Sequence, residues 1–325
     1  MTKVADCVLS VVVPLYNEEA SIDVFHKSLI KILDKTADSY EVIYCDDGSS
    51  DRTSSLVKAY CATNPNLKLI KLSRNFGKES ALSAGISTAS GQAVIMIDGD
   101  GQHPVELIPK FVESWRDGNK VVIGIRAHSA GAQAKNFGSW VFYKLFNHLT
   151  GQKLIPGSTD FRLIDKSVQQ AFLELPETDR ITRGLIDWLG FKRQFIEFRP
   201  KPRKNGEASY SRRQLMKLAM NSFVSLSPRP LYMFSYLGMF ITTAALILGI
   251  AVTIEQLILS DPLNWNFTGT AMLGILILFL VGIVLLSQGV LALYISHTHS
   301  QSLRRPLYII DYADSIGVNQ SGDSK

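Results

Sequence analysis

The chain has 325 residues, enough for two or three domains, and its 34 Lys and Arg exceed its 29 Asp and Glu to give a net charge of +5. That excess is mild, so no nucleic-acid partner is expected and the placement of the charges matters more than their sum. Three cysteines, Cys7, Cys45 and Cys61, sit in apolar or helical settings without metal-ligand spacing, which speaks against a disulfide framework and fits a reducing compartment.

Val8 to Pro14 is a short apolar run that predicts a buried strand, ended by the polar loop Tyr16-Asn17-Glu18-Glu19. Pro14 and that loop also cut the run too short for a signal peptide, so the soluble part is expected to stay in the cytoplasm. Ala20 to Leu33 carries Ile22, Phe25, Leu29, Ile30 and Leu33 at helical spacing. Tyr40 to Cys45 predicts a second strand, broken by Asp46-Asp47-Gly48-Ser49-Ser50-Asp51, where Asp51 or a neighbouring serine can cap the next helix. Leu67 to Leu72 predicts a third strand, followed by Arg74-Asn75-Phe76-Gly77-Lys78. From about Glu79 to Ala89 a helix rich in small residues (Ala81, Ala84, Gly85, Ala89) suits close packing on a sheet.

The next strand, Val94-Ile95-Met96-Ile97, runs into Asp98-Gly99-Asp100-Gly101-Gln102-His103-Pro104. Two carboxylates spaced i, i+2 on a glycine-flexed strand-end loop suit a Mg²⁺ or Mn²⁺ ion that keeps waters and bridges phosphates. Pro104 opens a helix that reaches about Trp115, and Val121 to Ile125 predicts a further strand. Strand and helix alternate with short connections, which predicts an α/β domain with a parallel sheet covered on both faces. The polar loops, with Arg126, then gather along one sheet edge, where ligands of such sheets bind. Neither G-x-G-x-x-G nor G-x-x-x-x-G-K-[ST] is present, so a diphosphate at this edge falls to metal and basic side chains.

Gln133 to Leu149 predicts a helix, Gly157 to Asp165 a loop passing into a short strand, Phe172 to Gly190 a helix in two pieces around Pro176, and Phe191 to Phe198 an edge strand. Lys192 to Lys217 is strongly basic, and Gln214 to Leu226 is amphipathic, the pattern of a helix lying in the headgroup layer. Leu231 to Ile254 and Trp265 to Ser296 hold no charged residue, and each exceeds the ~20 apolar residues of a membrane span. Arg229, Arg304 and Arg305 flank the pair while the link holds only Glu255 and Asp261, so both termini are expected on the cytoplasmic side of the cell inner (plasma) membrane. Residues 317–325 read as a disordered tail.

In order and spacing the motifs resemble the family-2 polyprenyl-phosphate glycosyltransferases, the bactoprenol glucosyltransferases and dolichol-phosphate mannose synthases. The stretches that carry the likeness are Val13 to Glu18, Asp46 to Ser49, Arg74 to Glu79, Asp98 to Pro104, Gly157 to Ile164, Gly206 to Tyr210 and Arg304 to Ile310. The resemblance implies a GT-A nucleotide-sugar-binding domain over 1–210, a juxtamembrane amphipathic helix over 211–230, a two-helix transmembrane hairpin over 231–297 and a cytoplasmic tail over 298–325. It implies nucleotide-sugar contacts from Pro14, Tyr16, Asn17, Glu18, Asp47, Lys78 and Asp98. Asp98, Asp100 and Gln102 would gather around Mg²⁺ or Mn²⁺, Arg126 and Arg203 would bind phosphates, and Asp160 with Asp100 would sit at the transfer centre. His103 and Tyr210 are further pocket residues. The expected reaction is inverting transfer of one sugar, glucose by preference, from a UDP-sugar donor to a polyprenyl phosphate acceptor at the lipid bilayer. The sequence leaves room for a homo-oligomer. Two other readings share these motifs, a processive polysaccharide synthase and a catalytically dead nucleotide-sugar-sensing adaptor. The chain lacks the Q-x-x-R-W motif and extra spans of the first, and keeps the four aspartates Asp47, Asp98, Asp100 and Asp160 that the second would not need.

Overall fold

The computed structural model describes residues 9–126, 157–177, 180–199, 269–303 and 305–318, together with 240, 241, 243 and 247. The expected helix Gln133 to Leu149, Arg203, Tyr210, the amphipathic segment, most of the first apolar run and the last seven residues lie outside them. The chain divides into two units, one holding the sheet together with residues 305–325, the other holding residues 210–304.

In the first unit the elements run β1 (Leu9–Leu15), α1 (Ile22–Thr36), β2 (Tyr40–Asp46), α2 (Thr53–Thr63), β3 (Leu67–Lys71), α3 (Lys78–Thr88), β4 (Ala93–Met96), α4 (Ile108–Arg116), β5 (Val121–Arg126), β6 (Ser158–Asp165), α5 (Lys166–Leu173), α6 (Thr182–Trp188) and β7 (Arg193–Phe198). The seven strands form one sheet in the order β3-β2-β1-β4-β6-β5-β7. Strand β1 is buried throughout, because alternate side chains feed opposite cores. Val11 and Val13 join Phe25, Leu29, Leu33 and Phe111 on one face, while Val12 joins Cys45, Ala81, Ala84 and Phe172 on the other.

Pro104 does not begin the fourth helix. It is extended and precedes a 3₁₀ turn, Val105–Leu107, after which α4 starts at Ile108. Helix α5 starts earlier than the expected Phe172, at Lys166, because Asp165 caps it by accepting from the Ser167 amide.

The sheet is mixed, which corrects the expectation of a parallel one. Strand β6 runs antiparallel to both neighbours, β4 and β5. The reason is where the chain re-enters: the Arg126 amide donates to the Gly157 carbonyl, so β6 begins at the edge where β5 ends. A parallel strand would have needed a crossover to the far edge first. The expected edge strand is found as β7, parallel to β5.

The closing stretch, read from sequence as part of a tail, returns to the sheet. Residues 305–318 lie along β3, the other edge strand, with antiparallel bridges Leu69–Ile316 and Leu72–Ile310. The Ser73 amide donates to the Ile309 carbonyl, Tyr308 pairs its hydroxyl with that of Ser87, and Asp314 takes Lys58 at 2.8 Å and Lys71 at 2.5 Å. Tyr308, Ile310 and Val318 pack on one core and Ile316 on the other, so this strap covers an edge that would otherwise be open to pairing.

In the second unit α7 (Gly269–Ser302) is a helix of 34 residues. Among the described residues no helix is long and apolar enough to cross a membrane.

The small residues of α3 serve close approach to the sheet, as their pattern predicts. A Cβ on Gly85 would stand 2.2 Å from Val12 Cγ1 and 2.7 Å from Cys45 Sγ. Gly85→Ala should therefore destabilise the domain by ~1–3 kcal/mol through overpacking, despite the better helix propensity of alanine. Thermal unfolding checks this, and an unchanged or raised midpoint would contradict the tight contact.

Candidate active site

The loops after β1, β2 and β3 are tied to one another before any ligand arrives. Asn17 takes a left-handed backbone (φ 53°), and its side-chain oxygen accepts from the Ser50 amide at 2.9 Å. Its own amide donates to Ser49 Oγ, and the Glu18 amide donates to Thr53 Oγ1. Asparagine tolerates this conformation better than bulkier residues do. Asp47 links the next pair of loops: its carboxylate accepts from the amides of Phe76 at 2.7 Å and Gly77 at 2.9 Å. Burial lifts its pKa and outweighs the lowering by those two amides. Gly48 permits this crossing, since it holds φ 69° and a Cβ would stand 2.6 Å from the Arg74 carbonyl carbon. Pro14 is buried in β1, whereas Tyr16 and Asn17 are exposed on the rim.

The fourth strand delivers Asp98, and here the site closes on a lysine. Lys78, the first residue of α3, places Nζ 2.7 Å from Asp98 Oδ1 and 2.7 Å from Asp160 Oδ2. Asp160 reaches this point because β6 is antiparallel: it lies near the start of β6, beside the ends of the parallel strands. Burial disfavours the charge on Lys78, but the two carboxylates raise its pKa well above the ordinary lysine value. Burial likewise pushes Asp160 upward, yet Lys78, Arg183 and Arg162 together hold its carboxyl below the usual range.

Behind this clasp stand residues that sequence reasoning did not single out. Arg162 is 1% exposed, and its guanidinium donates to Asp187 Oδ1 at 2.9 Å, Ser158 Oγ at 2.7 Å and the carbonyls of Thr159 and Arg183. A buried charge paired and bonded in this way fixes the strand that bears Asp160. Glu79 accepts from the Thr182 amide at 2.8 Å and so pins the start of α6 beside α3. Both residues stand inside motif stretches quoted above, but their partners are 25 and 103 residues away, a separation that no local pattern encodes.

Asp100 Oδ1 accepts from the Gln102 amide at 2.9 Å, which folds the Asp98-to-Gln102 loop back on itself. His103 is buried against Phe161 and Phe198, its Nδ1 lies 3.7 Å from Asp98 Oδ2, and both ring nitrogens lack a hydrogen-bond partner among the described residues. Burial lowers its pKa more than Asp98 and Asp100 raise it, so the ring is neutral at pH 7. Arg126 ends β5 on the same edge with its side chain exposed. The structure thus brings Asn17, Glu18, Asp47, Lys78, Asp98, Asp100, Gln102, Arg126 and Asp160 to one rim. Among the described residues no three His, Cys, Asp or Glu side chains cluster to hold a metal. Asp98, Asp100 and Gln102 do share one short loop, and their carboxylate and carboxamide oxygens are of the hard donor type that fits an ion held by one or two carboxylates with its other ligands from water and phosphate.

Residues 10–172 match the family described as Glycosyl transferase family 2. The chain belongs to that family. Its relatives match over nearly its whole length: the bactoprenol glucosyl transferase of Shigella phage SfV is 34% identical over 93% of this chain and 97% of its own. The prophage bactoprenol glucosyl transferase homolog of Escherichia coli is 33% identical over 93% and 98%, and a glycosyltransferase of Synechocystis is 38% identical over 93% and 94%. Among solved structures, glucosyl-3-phosphoglycerate synthase from Mycobacterium tuberculosis with Mn²⁺ and UDP-glucose is 19% identical, covering 68% of this chain and 78% of that one at a TM-score of 0.45. Family 2 membership makes the chain a glycosyltransferase with a GT-A-like α/β fold, and the rim described above is its candidate active site.

On that rim Lys78 is the first of three cations that lower the Asp160 pKa against burial. Lys78→Gln should move the Asp160 carboxyl titration upward, because burial then acts with less opposition. Carboxyl NMR of ¹³C-aspartate-labelled protein reads this directly, with Asp160→Asn identifying the resonance. A titration that stays in place would mean that Arg162 and Arg183 suffice.

Proposed function

We propose that this glycosyltransferase moves a single sugar, glucose by preference, from a UDP-sugar to a polyprenyl phosphate at the cytoplasmic face of the membrane, inverting the anomeric centre. The observation that carries the reading is the Lys78 clasp of Asp98 and Asp160, set on the rim of a family 2 domain whose relatives over 93% of the chain include several named bactoprenol glucosyl transferases.

The chemistry follows from charge. The nucleophile is a phosphate monoester with a second pKa of about 6, so it arrives largely ionised at pH 7 and needs orientation more than deprotonation. Asp160, held ionised by its cationic neighbours, is suited to orient a sugar hydroxyl or a basic side chain next to the reacting carbon. Arg126 offers a planar fork for a phosphate. Mg²⁺ or Mn²⁺ bound by Asp98, Asp100 and Gln102 would supply charge stabilisation for the departing diphosphate. Lys78 sets the spacing between the metal-binding loop and the Asp160 strand. The two uncharged runs, Leu231 to Ile254 and Trp265 to Ser296, support anchorage in the bilayer, where the isoprenoid tail of the acceptor would reside.

Purified full-length protein given labelled UDP-glucose and undecaprenyl phosphate should yield a lipid bearing one hexose. Polymer growth would move the reading to a processive synthase, and absence of any labelled lipid with any UDP-sugar would remove it. Asp98→Asn and Asp100→Asn should each abolish the product, and excess chelator should do the same reversibly. Full turnover in chelator would sink the metal assignment while leaving the lipid product standing.

A further inference from the structure

We propose that Arg183 is a phosphate-binding residue of this site, a cation held free beside Asp160 to receive either the donor diphosphate or the acceptor phosphate. The inference rests on the transfer reaction proposed above.

Three cations act on Asp160, namely Lys78, Arg162 and Arg183, and their commitments differ. Lys78 is shared by two carboxylates, and Arg162 is buried and paired with Asp187. Arg180, three residues before Arg183, spends its guanidinium on the carbonyls of Leu175 and Glu177 and lies over the Phe172 ring. Of the three that act on Asp160, Lys78 and Arg162 are paired, whereas Arg183 is exposed and forms no ion pair among the described residues.

Its position is nonetheless fixed. The Arg183 carbonyl accepts from Arg162 Nη1 at 3.2 Å, and the preceding amide, that of Thr182, donates to Glu79 Oε2. Glu79 follows Lys78 in α3, so the backbone at 182–183 is clipped to the same turn that delivers Lys78 to Asp160. The charge on Arg183 is felt at Asp160, where it works with Lys78 against the upward push of burial. The rim therefore has an exposed arginine whose backbone is held to the elements that carry Lys78 and Asp160. A guanidinium bonds phosphate oxygens bidentately and stays charged at every working pH, so an exposed one anchored by its backbone is already organised for that ligand.

The test uses full-length Arg183→Gln and Arg183→Lys proteins, UDP, uridine, UDP-glucose and undecaprenyl phosphate. Calorimetry measures the preference for UDP over uridine, which isolates the diphosphate, and steady-state kinetics gives KM for each substrate. Loss of a charged hydrogen bond predicts a change of about ten-fold or more in Arg183→Gln, with partial recovery in Arg183→Lys. A reduced UDP preference assigns the residue to the donor, and a raised KM for undecaprenyl phosphate with the UDP preference intact assigns it to the acceptor. The proposal is overturned if both quantities stay at wild-type values. It is also overturned if both variants lose kcat and melting temperature alike with KM and UDP preference unmoved, the pattern of a purely structural side chain. Wild-type protein that makes no glycolipid would overturn the proposed reaction instead, while the UDP-to-uridine comparison would still judge Arg183.

Discussion

One ammonium group joins three separate parts of the chain. Lys78 comes from the start of α3, Asp98 from the loop after β4 and Asp160 from the start of β6, and they meet at 2.7 Å on either side. Each of these groups would be costly to enclose alone, since a partly buried charge must be paired and bonded to persist. Pairing makes the three positions interdependent. The loop that bears Asp100 and Gln102 is anchored through Asp98, and the strand that bears Asp160 is anchored from behind by Arg162.

That meeting depends on the direction of one strand. In a fully parallel sheet the first residues of a strand lie at the edge away from the loops that bind ligands. Asp160 is among the first residues of β6, so only an antiparallel β6 delivers it to the site. The price in sheet regularity is small, because β6 pairs with β4 through Arg162 to Asp165 and with β5 through Ser158 to Ile164, with one register shift near Ile123 to Ile125. Arg162 and Glu79 then lock the arrangement from two sides, one through Asp187 and the other through the Thr182 amide.

The sequence made the strand–helix alternation legible because burial leaves a period. Val11, Val12 and Val13 had to feed two cores, and the small residues of α3 had to let a helix approach β1. The loop residues were legible as a set, since Asn17, Asp47, Asp98 and Asp100 each follow a predicted strand. Direction was not legible. The hydrophobic pattern of Phe161 to Ile164 is the same read either way, and what decides it is where the chain re-enters after Arg126. The strap was missed for a related reason: Tyr308 to Ile316 is too short and mixed to announce an element, and its order comes from an open β3 edge far away in sequence. Contacts such as Arg162 with Asp187 are invisible to local spacing, although the residue types were on view. Arg203 and the amphipathic segment lie outside the described residues, and their assignment stands on sequence.

Charge balance explains why a site of this kind keeps arginines in reserve. Asp98 and Asp160 share the single ammonium of Lys78, which leaves this trio with one net negative charge (1 − 2), and Asp100 stands in the same loop as Asp98. Without a divalent ion on that loop, a phosphate monoester approaching such a centre would be repelled, and a diphosphate more so. Moving Lys78 onto the phosphate would not solve the problem, since it would strip Asp98 and Asp160 of their shared partner and release the strand geometry that the site requires. Beside the divalent ion that Asp98, Asp100 and Gln102 would hold, the protein cations suited to receive phosphate are ones the fold does not consume. Arg126 and Arg183 meet that condition: each is exposed and each has its backbone held by hydrogen bonds, the first by the Gly157 carbonyl and the second by Arg162. The division of labour is physical. Paired charges build the clasp, and exposed arginines with no ion pair among the described residues are left to meet the anion.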